Sequence, residues 1–263
     1  MSNAWHVFRF VFKDNFKSGW ALGYLLFLGL ALFSLHYFTG SLTRSLASFI
    51  SVLLILVPLM SSVVTAFYYY NKMDLWILLI SQPIKRRSVL LGMYAGISAS
   101  LLLPMLLSFL IPAMLAWSEA VANINWLMTM IVTGGFLTLI FSAITLAIVL
   151  RSASRLTGLG LVLFMWLLLT VLYDGAVLAY LFAFSDYNIE QHALIMILLN
   201  PVDLTRVVLS LELDIAAMMG YSGVVFKNFF TQTMGQLISL GALVVWTGIP
   251  LLLSSRILRK KDF

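Results

Sequence analysis

The sequence predicts an all-α integral membrane protein with six transmembrane helices, and three features support this fold class. Apolar residues make up 62% of the chain and charged residues 10%, whereas a soluble domain is roughly a quarter charged. The mean hydropathy is +1.04. Several apolar runs reach the ~20 residues that a helix needs to cross ~30 Å of hydrocarbon. Since a backbone in lipid must satisfy its hydrogen bonds internally, runs of this length form helices.

The predicted spans leave no room for a separate soluble domain, so residues 1–263 are interpreted as one transmembrane domain. The sequence has no cysteine, which excludes disulfides and thiolate metal sites. The six spans run approximately over Trp20–Phe38, Ser45–Tyr69, Val89–Trp117, Trp126–Leu150, Thr157–Phe184 and Gln236–Ser255.

The basic residues are distributed unequally between the two sides of the predicted bundle. With the amino terminus inside, the inner segments hold 13 of the 16 lysines and arginines, and the outer segments hold Arg44, Arg206 and Lys227. The positive-inside rule then places both termini in the cytoplasm. In a diderm bacterium the membrane would be the inner membrane, and the outer side would be the periplasm. The net charge of +6 therefore indicates a lipid surface as partner and not nucleic acid.

Residues 1–19 are predicted to form an amphipathic helix on the cytoplasmic side. Trp5, Phe8, Phe12 and Phe16 fall on one stripe with basic residues beside it, which is typical of a helix in the membrane interface. A signal peptide is disfavoured because the next apolar run is long and lacks a small-residue cleavage site. The helix either anchors the chain to the lipid surface or binds a cytoplasmic partner protein.

The segment between the second and third spans, residues 70–88, contains a short apolar helix from Leu75 to Ile80. This helix is too short to span, and Pro83 ends it by removing a donor and disfavouring helix before it. Its apolar face includes Trp76. We expect this face to point away from the rest of the chain, so that either lipid or a groove in another protein covers it. The basic cluster Lys85-Arg86-Arg87 also suits contact with anionic lipid.

The third span carries small residues at every fourth position, namely Gly92, Gly96 and Ser100. A face of small residues lets another helix approach closely. We therefore expect a tight helix contact on this face.

The segment 70–88 has a recognisable order: an acidic residue, an apolar helix, a proline, a basic cluster, a serine and Leu-Leu-Gly. This order resembles the coupling segment of type-2 ABC exporter permeases, although Met73-Asp74 stand where that family has a Glu and a Gly. The resemblance implies that the short helix sits in a groove of a separate ATPase subunit, which uses ATP and Mg. The residues that it assigns to ATPase coupling are Asp74, Leu75, Trp76, Leu78, Leu79, Gln82, Pro83, Arg86 and Arg87.

The outer segment between the fifth and sixth spans, residues 185–235, is too apolar to be disordered and too long to be a simple connection. Asn200-Pro201-x-Asp203 predicts a turn followed by a helix start, with Asp203 capping backbone donors. Ala193–Leu199 and Val207–Met219 are predicted as amphipathic helices too short to span. We interpret this helical extracytoplasmic segment as a docking surface or an exit gate rather than a spacer.

Three strings narrow the resemblance to permeases of NosDFY-type transporters: Leu-Asn-Pro-x-Asp-x-x-Arg from Leu199, Met-Gly-Tyr-Ser-Gly from Met219, and Tyr173-Asp174. Such transporters serve maturation of nitrous oxide reductase, which implies a cargo related to copper or sulfur. The resemblance also implies a homodimer with two NosF-like ATPases and a periplasmic NosD-like protein. The residues that it assigns to docking of the periplasmic protein are Asn200, Pro201, Asp203, Arg206, Asp214, Met219, Gly220 and Tyr221.

Asp174 is an acidic residue well inside a predicted span, where a charge costs ~2.5–3.5 kcal/mol on insertion scales. In a functional role, Asp174 lines a cargo path or pairs with a charge on a partner. In a structural role, it is protonated or hydrogen-bonded where two helices meet. A hydroxyl such as that of Tyr173 or Thr170 is then the expected partner.

The sequence predicts no catalytic, nucleotide or metal site in this chain, and no cofactor bound by it. There is no Gly-x-x-x-x-Gly-Lys-Ser/Thr loop and no His-Glu-x-x-His or Gly-x-Ser-x-Gly motif. Met218, Met219 and His192 are ligand types that suit copper, but Met-x-x-Met and His-x-His spacings do not occur. Two other functions stay open: a type-2 exporter of lipid, glycan or drug, and a non-transporting scaffold or channel.

The coupling assignment generates one prediction. Trp76→Ala together with Leu79→Ala should leave membrane insertion intact but uncouple ATP hydrolysis from the permease. Unchanged ATPase activity in a reconstituted complex would contradict it.

Overall fold

The structure, a computed structural model, describes residues 2–82, 84–184, 190–212 and 233–260. These ranges are helical and contain no strand, which confirms the all-α prediction. The helices are α1 Ser2–Lys17, α2 Trp20–Thr39, α3 Leu42–Asn71, α4 Met73–Ser81, α5 Arg86–Leu115, α6 Trp117–Ala122, α7 Ile124–Arg151, α8 Arg155–Leu167, α9 Tyr173–Ala183, α10 Glu190–Leu198, α11 Pro201–Glu212 and α12 Thr233–Lys260. A π-helical turn, Leu168–Leu172, joins α8 to α9.

Six helical segments in the described ranges are long and apolar enough to cross a membrane, as predicted. They are Trp20–Thr39, Leu42–Asn71, Arg86–Leu115, Ile124–Arg151, Arg155–Ala183 and Met234–Arg259. Most of them extend a few residues beyond the predicted bounds, because polar and basic residues at the ends still continue the helical turn.

The second, third and fourth spans (α3, α5 and α7) form the centre of the bundle. In their most apolar windows, 61%, 50% and 61% of the residues are buried, against 28% in α2 and 22% in both α8–α9 and α12. Phe49 and Phe109 meet edge to face at 5.6 Å between α3 and α5. The outer three spans direct large apolar side chains away from the protein, as lipid-facing helices do.

The basic ends of the spans meet at one end of the bundle, which we call the basic end. There Arg155 donates to Asn71 Oδ1 at 3.1 Å, and Lys72 forms an ion pair with Asp14 at 3.0 Å. At the opposite end, the backbone N–H of Leu42 donates to the Glu119 carboxylate at 2.6 Å. The inner-segment basic residues Lys72 and Arg155 thus lie at one end of the bundle and the outer-segment residue Glu119 lies at the other.

The small-residue face of α5 packs against α1. Gly92 faces Val7 and Gly96 faces Val11, and Asn15 Nδ2 donates to Ser100 Oγ at 2.6 Å. The two helices therefore run in the same direction, in contact at every fourth residue of each. The aromatic stripe of α1 lies beside this packed face and stacks along the helix, with Trp5 still 56% exposed. Its location in the membrane interface stays a prediction.

The α1–α5 contact generates a second prediction. A Cβ on Gly92 would lie 2.7 Å from the Ala4 carbonyl oxygen and 2.8 Å from Val7 Cβ, so Gly92→Ala must displace α1. Overpacking of this kind costs about 1–3 kcal/mol. We expect a lower melting temperature in detergent and faster tryptic cleavage at the basic residues of α1.

The matched control is Gly160→Ala, because a Cβ at Gly160 meets nothing within 4 Å. Alanine there should be neutral or stabilising, since glycine is the poorer helix former. Equal melting temperatures for the two variants would contradict the close contact.

Candidate functional site

The short helix α4 leaves the basic end of α3 after a single residue, Lys72, whose backbone lies outside the helical region. Its carboxyl end is set by Gln82, which is extended (φ −76°, ψ 159°), as expected of a residue before proline. Pro83 itself lies outside the described residues. The elbow formed by α4 and the start of α5 therefore projects from the basic end.

Trp76 does not lie on the exposed face of α4, which corrects the sequence-based expectation. It is only 2% exposed and packs 6.1 Å from the Tyr68 ring. Around it, side chains of α3, α4, α5, α7 and α12 enclose a small cavity: Tyr69, Ile80, Val89, Leu90, Met93, Leu150 and Leu258. The indole is large and apolar, and folding brings four helix ends together around it, so the chain itself covers this side chain.

The exposed face of α4 is built from different residues. Leu78 is 59% exposed, and Met73 and Ile77 are each 38% exposed. Asp74 is exposed beside them, and Leu75 and Leu79 are half-buried. Of the assigned coupling residues that the structure describes, Asp74, Leu78, Gln82 and Arg87 are exposed to a partner. Met73 and Ile77 were missed, although their spacing of four residues places them on one helix face.

Arg86 is engaged within the chain. Its guanidinium donates to the carbonyl oxygens of Leu258 at 2.9 Å and Arg259 at 3.3 Å. These carbonyls belong to the last turn of α12, where backbone acceptors lack intrahelical partners. Arg86 thus joins the elbow to α12, and Arg87 next to it stays exposed.

A link between α1 and the residue before α4 was not predicted from the sequence. Asp14 accepts a hydrogen bond from Tyr68 at 3.0 Å and from Lys72 at 3.2 Å. The sequence feature that could have indicated this link is Asp14 itself, an acidic residue among the basic residues of α1. Through Lys72, the first helix is tied directly to the residue that precedes α4.

A second group of residues lies on the hairpin formed by α10 and α11. The chain bends by 109° between these two helices. The cap of α11 is Asn200, whose Oδ1 accepts from the Val202 N–H at 3.0 Å. Asp203 is therefore not the cap, and α11 begins at Pro201 rather than at Val207. Proline suits the first helical position because its missing N–H has no helical partner there.

The tip of the hairpin reaches the π-helical turn of the fifth span. Asn200 Nδ2 donates to the Leu169 carbonyl oxygen at 2.8 Å, and Asn200 is fully buried. Leu169 is the central residue of the span Arg155–Ala183, so the tip reaches mid-span. A π turn disturbs the regular helical hydrogen bonds, and here the hairpin supplies a donor to it.

The partner of Asp174 is Arg206, on α11. The two side chains form an ion pair at 2.5 Å, and Arg206 also pairs with Asp203 at 3.2 Å. The hydroxyls of Tyr173 and Thr170 donate instead to the carbonyls of Met196 and Trp166. One guanidinium thus holds two carboxylates, one from the fifth span and one from the hairpin.

Some of the residues assigned to docking of a periplasmic protein instead make contacts within the chain. Asn200, Pro201 and Asp203 are buried within the chain. Asn200 binds the fifth span directly, and Asp203 shares Arg206 with Asp174 of that span. Arg206 is partly exposed, at 40% of its side chain. The remaining assigned residues, Asp214, Met219, Gly220 and Tyr221, lie outside the described residues, as does Met218. In the part of the chain that the structure describes, no group of three His, Cys, Asp or Glu residues is arranged to hold a metal ion.

Comparison with known proteins gives similarity along the whole chain. Residues 77–263 match the family described as ABC-2 family transporter protein. A relative from Pseudomonas aeruginosa, named "Probable ABC transporter permease protein NosY", is 24% identical over 277 residues, covering 99% of each chain. A relative of the same name from Stutzerimonas stutzeri is 26% identical over 291 residues, again covering 99% of each.

The ion-pair cluster generates a third prediction. Arg206→Met leaves Asp174 and Asp203 facing each other without a countercharge, and we expect a loss of about 1–3 kcal/mol of stability. This lies below the 3–5 kcal/mol of a fully buried pair because Arg206 is partly exposed. Thermal unfolding in detergent measures it.

Addition of Asp174→Asn to Arg206→Met should restore part of the loss, because it removes the carboxylate that is left without a countercharge. Burial and the neighbouring Asp174 already raise the pKa of Asp203 to about 8. Arg44→Met is the control, since Arg44 is an exposed arginine in an outer segment. Additive effects of Arg206→Met and Asp174→Asn would contradict the contact.

Proposed function

The chain belongs to the ABC-2 family of transporter proteins, and from that premise we propose that it is the permease subunit of a NosDFY-type transporter that serves maturation of nitrous oxide reductase. As a permease of this family it is the membrane-spanning part of an ABC transporter, whose energy comes from an ABC ATPase. The proposal places the chain in a bacterial inner membrane with both termini in the cytoplasm.

The observation that carries the proposal is that α4 has one exposed apolar face and one face packed against the bundle. Its outer face is apolar and exposed at Leu78. Its inner face carries Trp76, which packs against side chains of α3, α5, α7 and α12. An ATPase groove that receives the outer face can therefore move the ends of α3, α5, α7 and α12 together. In this proposal two NosF-like ATPases bind ATP and Mg and act on two copies of the chain.

The NosDFY assignment is supported by the relatives named NosY, which align with the chain from end to end. It is also supported by the string that runs from Leu199 to Arg206, since its polar residues form the contacts between hairpin and fifth span. A periplasmic NosD-like protein would dock on the segment that continues from the hairpin. The cargo would be a copper- or sulfur-related species, either carried across or served by movement transmitted through the membrane.

The experiment is a gentle detergent extraction of the tagged protein from its native membranes, with co-purifying subunits identified by mass spectrometry. We expect an ABC ATPase together with a periplasmic repeat protein. An ATPase without the periplasmic protein would overturn the NosDFY assignment and favour an exporter of lipid, glycan or drug. Neither partner, in a preparation shown to preserve complexes, would overturn the ATPase coupling as well.

A fourth prediction concerns the exposed face of α4. Leu78→Glu puts a charge on the surface that we assign to the ATPase groove, so it should abolish co-purification of the ATPase. The melting temperature of the permease alone should change little, because Leu78 is 59% exposed. The matched control is Leu78→Met, which conserves volume and polarity and should retain the ATPase. Retention of the ATPase by Leu78→Glu would contradict the assignment.

A further inference from the structure

At the basic end, the ends of α7 and α12 enclose a groove with a volume of about 780 Å³, lined by Arg151, Arg256, Ile257 and Arg259. We call it the arginine groove. We propose that it binds the phosphate headgroup of an anionic phospholipid from the adjacent leaflet. This site is separate from the exposed face of α4 and from the hairpin, and the proposal does not depend on the identity of the cargo.

The arginine groove concentrates positive charge that the described residues do not balance. Three guanidinium groups line it, and none of them forms an ion pair or hydrogen bond with the residues that the structure describes. Arginines held close together repel one another, and a bound anion removes that repulsion. A phosphate also matches the geometry of the planar guanidinium group, which binds it in bidentate fashion.

Three other basic residues at this end, Lys72, Arg155 and Arg86, are already engaged within the chain. Lys72 pairs with Asp14, and Arg155 donates to Asn71 and lies 5.7 Å from the centre of the Phe67 ring. The terminal carbonyls of α12 are occupied by Arg86, so they do not draw in the groove arginines. The three groove arginines thus remain available to an external anion.

An apolar track leads from the arginine groove along α12 and favours a lipid over free phosphate. Ile249, Leu252 and Leu253 are 54%, 61% and 46% exposed. They precede Arg256 by seven, four and three residues, so they share its helix face. A phospholipid with its phosphate in the groove can lay its acyl chains along this track, whereas inorganic phosphate makes no use of it. Basic pockets between transmembrane helices on the cytoplasmic side bind anionic headgroups in this way.

The test uses the permease in complex with its ATPase, reconstituted in nanodiscs of phosphatidylcholine with a defined fraction of phosphatidylglycerol. Native mass spectrometry after release counts the phosphatidylglycerol molecules that stay bound to each complex. The wild type should retain this lipid. The variant with Arg151→Gln, Arg256→Gln and Arg259→Gln should bind it roughly 100-fold more weakly, at about fivefold per basic side chain.

The matched control carries Arg9→Gln, Lys13→Gln and Lys17→Gln, which removes the same charge from exposed positions of α1 and should retain the lipid. A second variant, Ile257→Trp, keeps all three arginines and fills the groove, so it should lose the lipid even if the triple variant does not fold. Three results would each overturn the proposal: unchanged retention in the folded groove variants, equal loss in the α1 control, and displacement of the lipid by inorganic phosphate alone. Retention by the isolated permease but not by the complex would overturn it too, because the groove would then belong to the ATPase contact.

Discussion

The packing of Trp76 is the interaction on which the arrangement of helices around α4 depends. One indole ring fills the space where the basic ends of α3, α5, α7 and α12 converge, with side chains from each of them around it. Its Nε1 has no hydrogen-bond partner among the described residues, so packing holds the ring in place. Close-packed side chains transmit displacement because they leave little room to compress. Any force on the outer face of α4 is therefore shared among four helices instead of bending a loose connection.

The polar contacts are placed where they reinforce this arrangement. At the basic end, Arg86 binds the last turn of α12 and Lys72 binds Asp14 of α1, so the first and the last described helices are both tied to the segment around α4. At mid-span, Asn200 and Arg206 fasten the hairpin to the fifth span. Polar groups at this depth need internal partners because lipid offers none. These contacts therefore link the fifth span to the hairpin of the outer segment.

The lipid environment explains how much of this fold could be predicted from the sequence. Bilayer thickness dictates the length of each span, and the charge distribution dictates its direction, so the six spans follow from local composition. The glycines of α5 likewise predict a close helix approach, although not that α1 is the partner. The contacts of Trp76, Arg86 and Arg206 could not be predicted, because each joins elements far apart in the chain. A tryptophan in a short apolar helix has the same local pattern whether a partner protein or its own chain covers it.

The most direct test of the coupling account is cysteine accessibility on α4, which is straightforward because the chain has no cysteine of its own. A charged maleimide is applied to the Leu78→Cys variant, first as the isolated permease and then in complex with the ATPase. The account predicts rapid labelling of the isolated permease and strong protection in the complex. Equal labelling in both states would contradict it, because the exposed face of α4 would then not be the surface on which the ATPase acts.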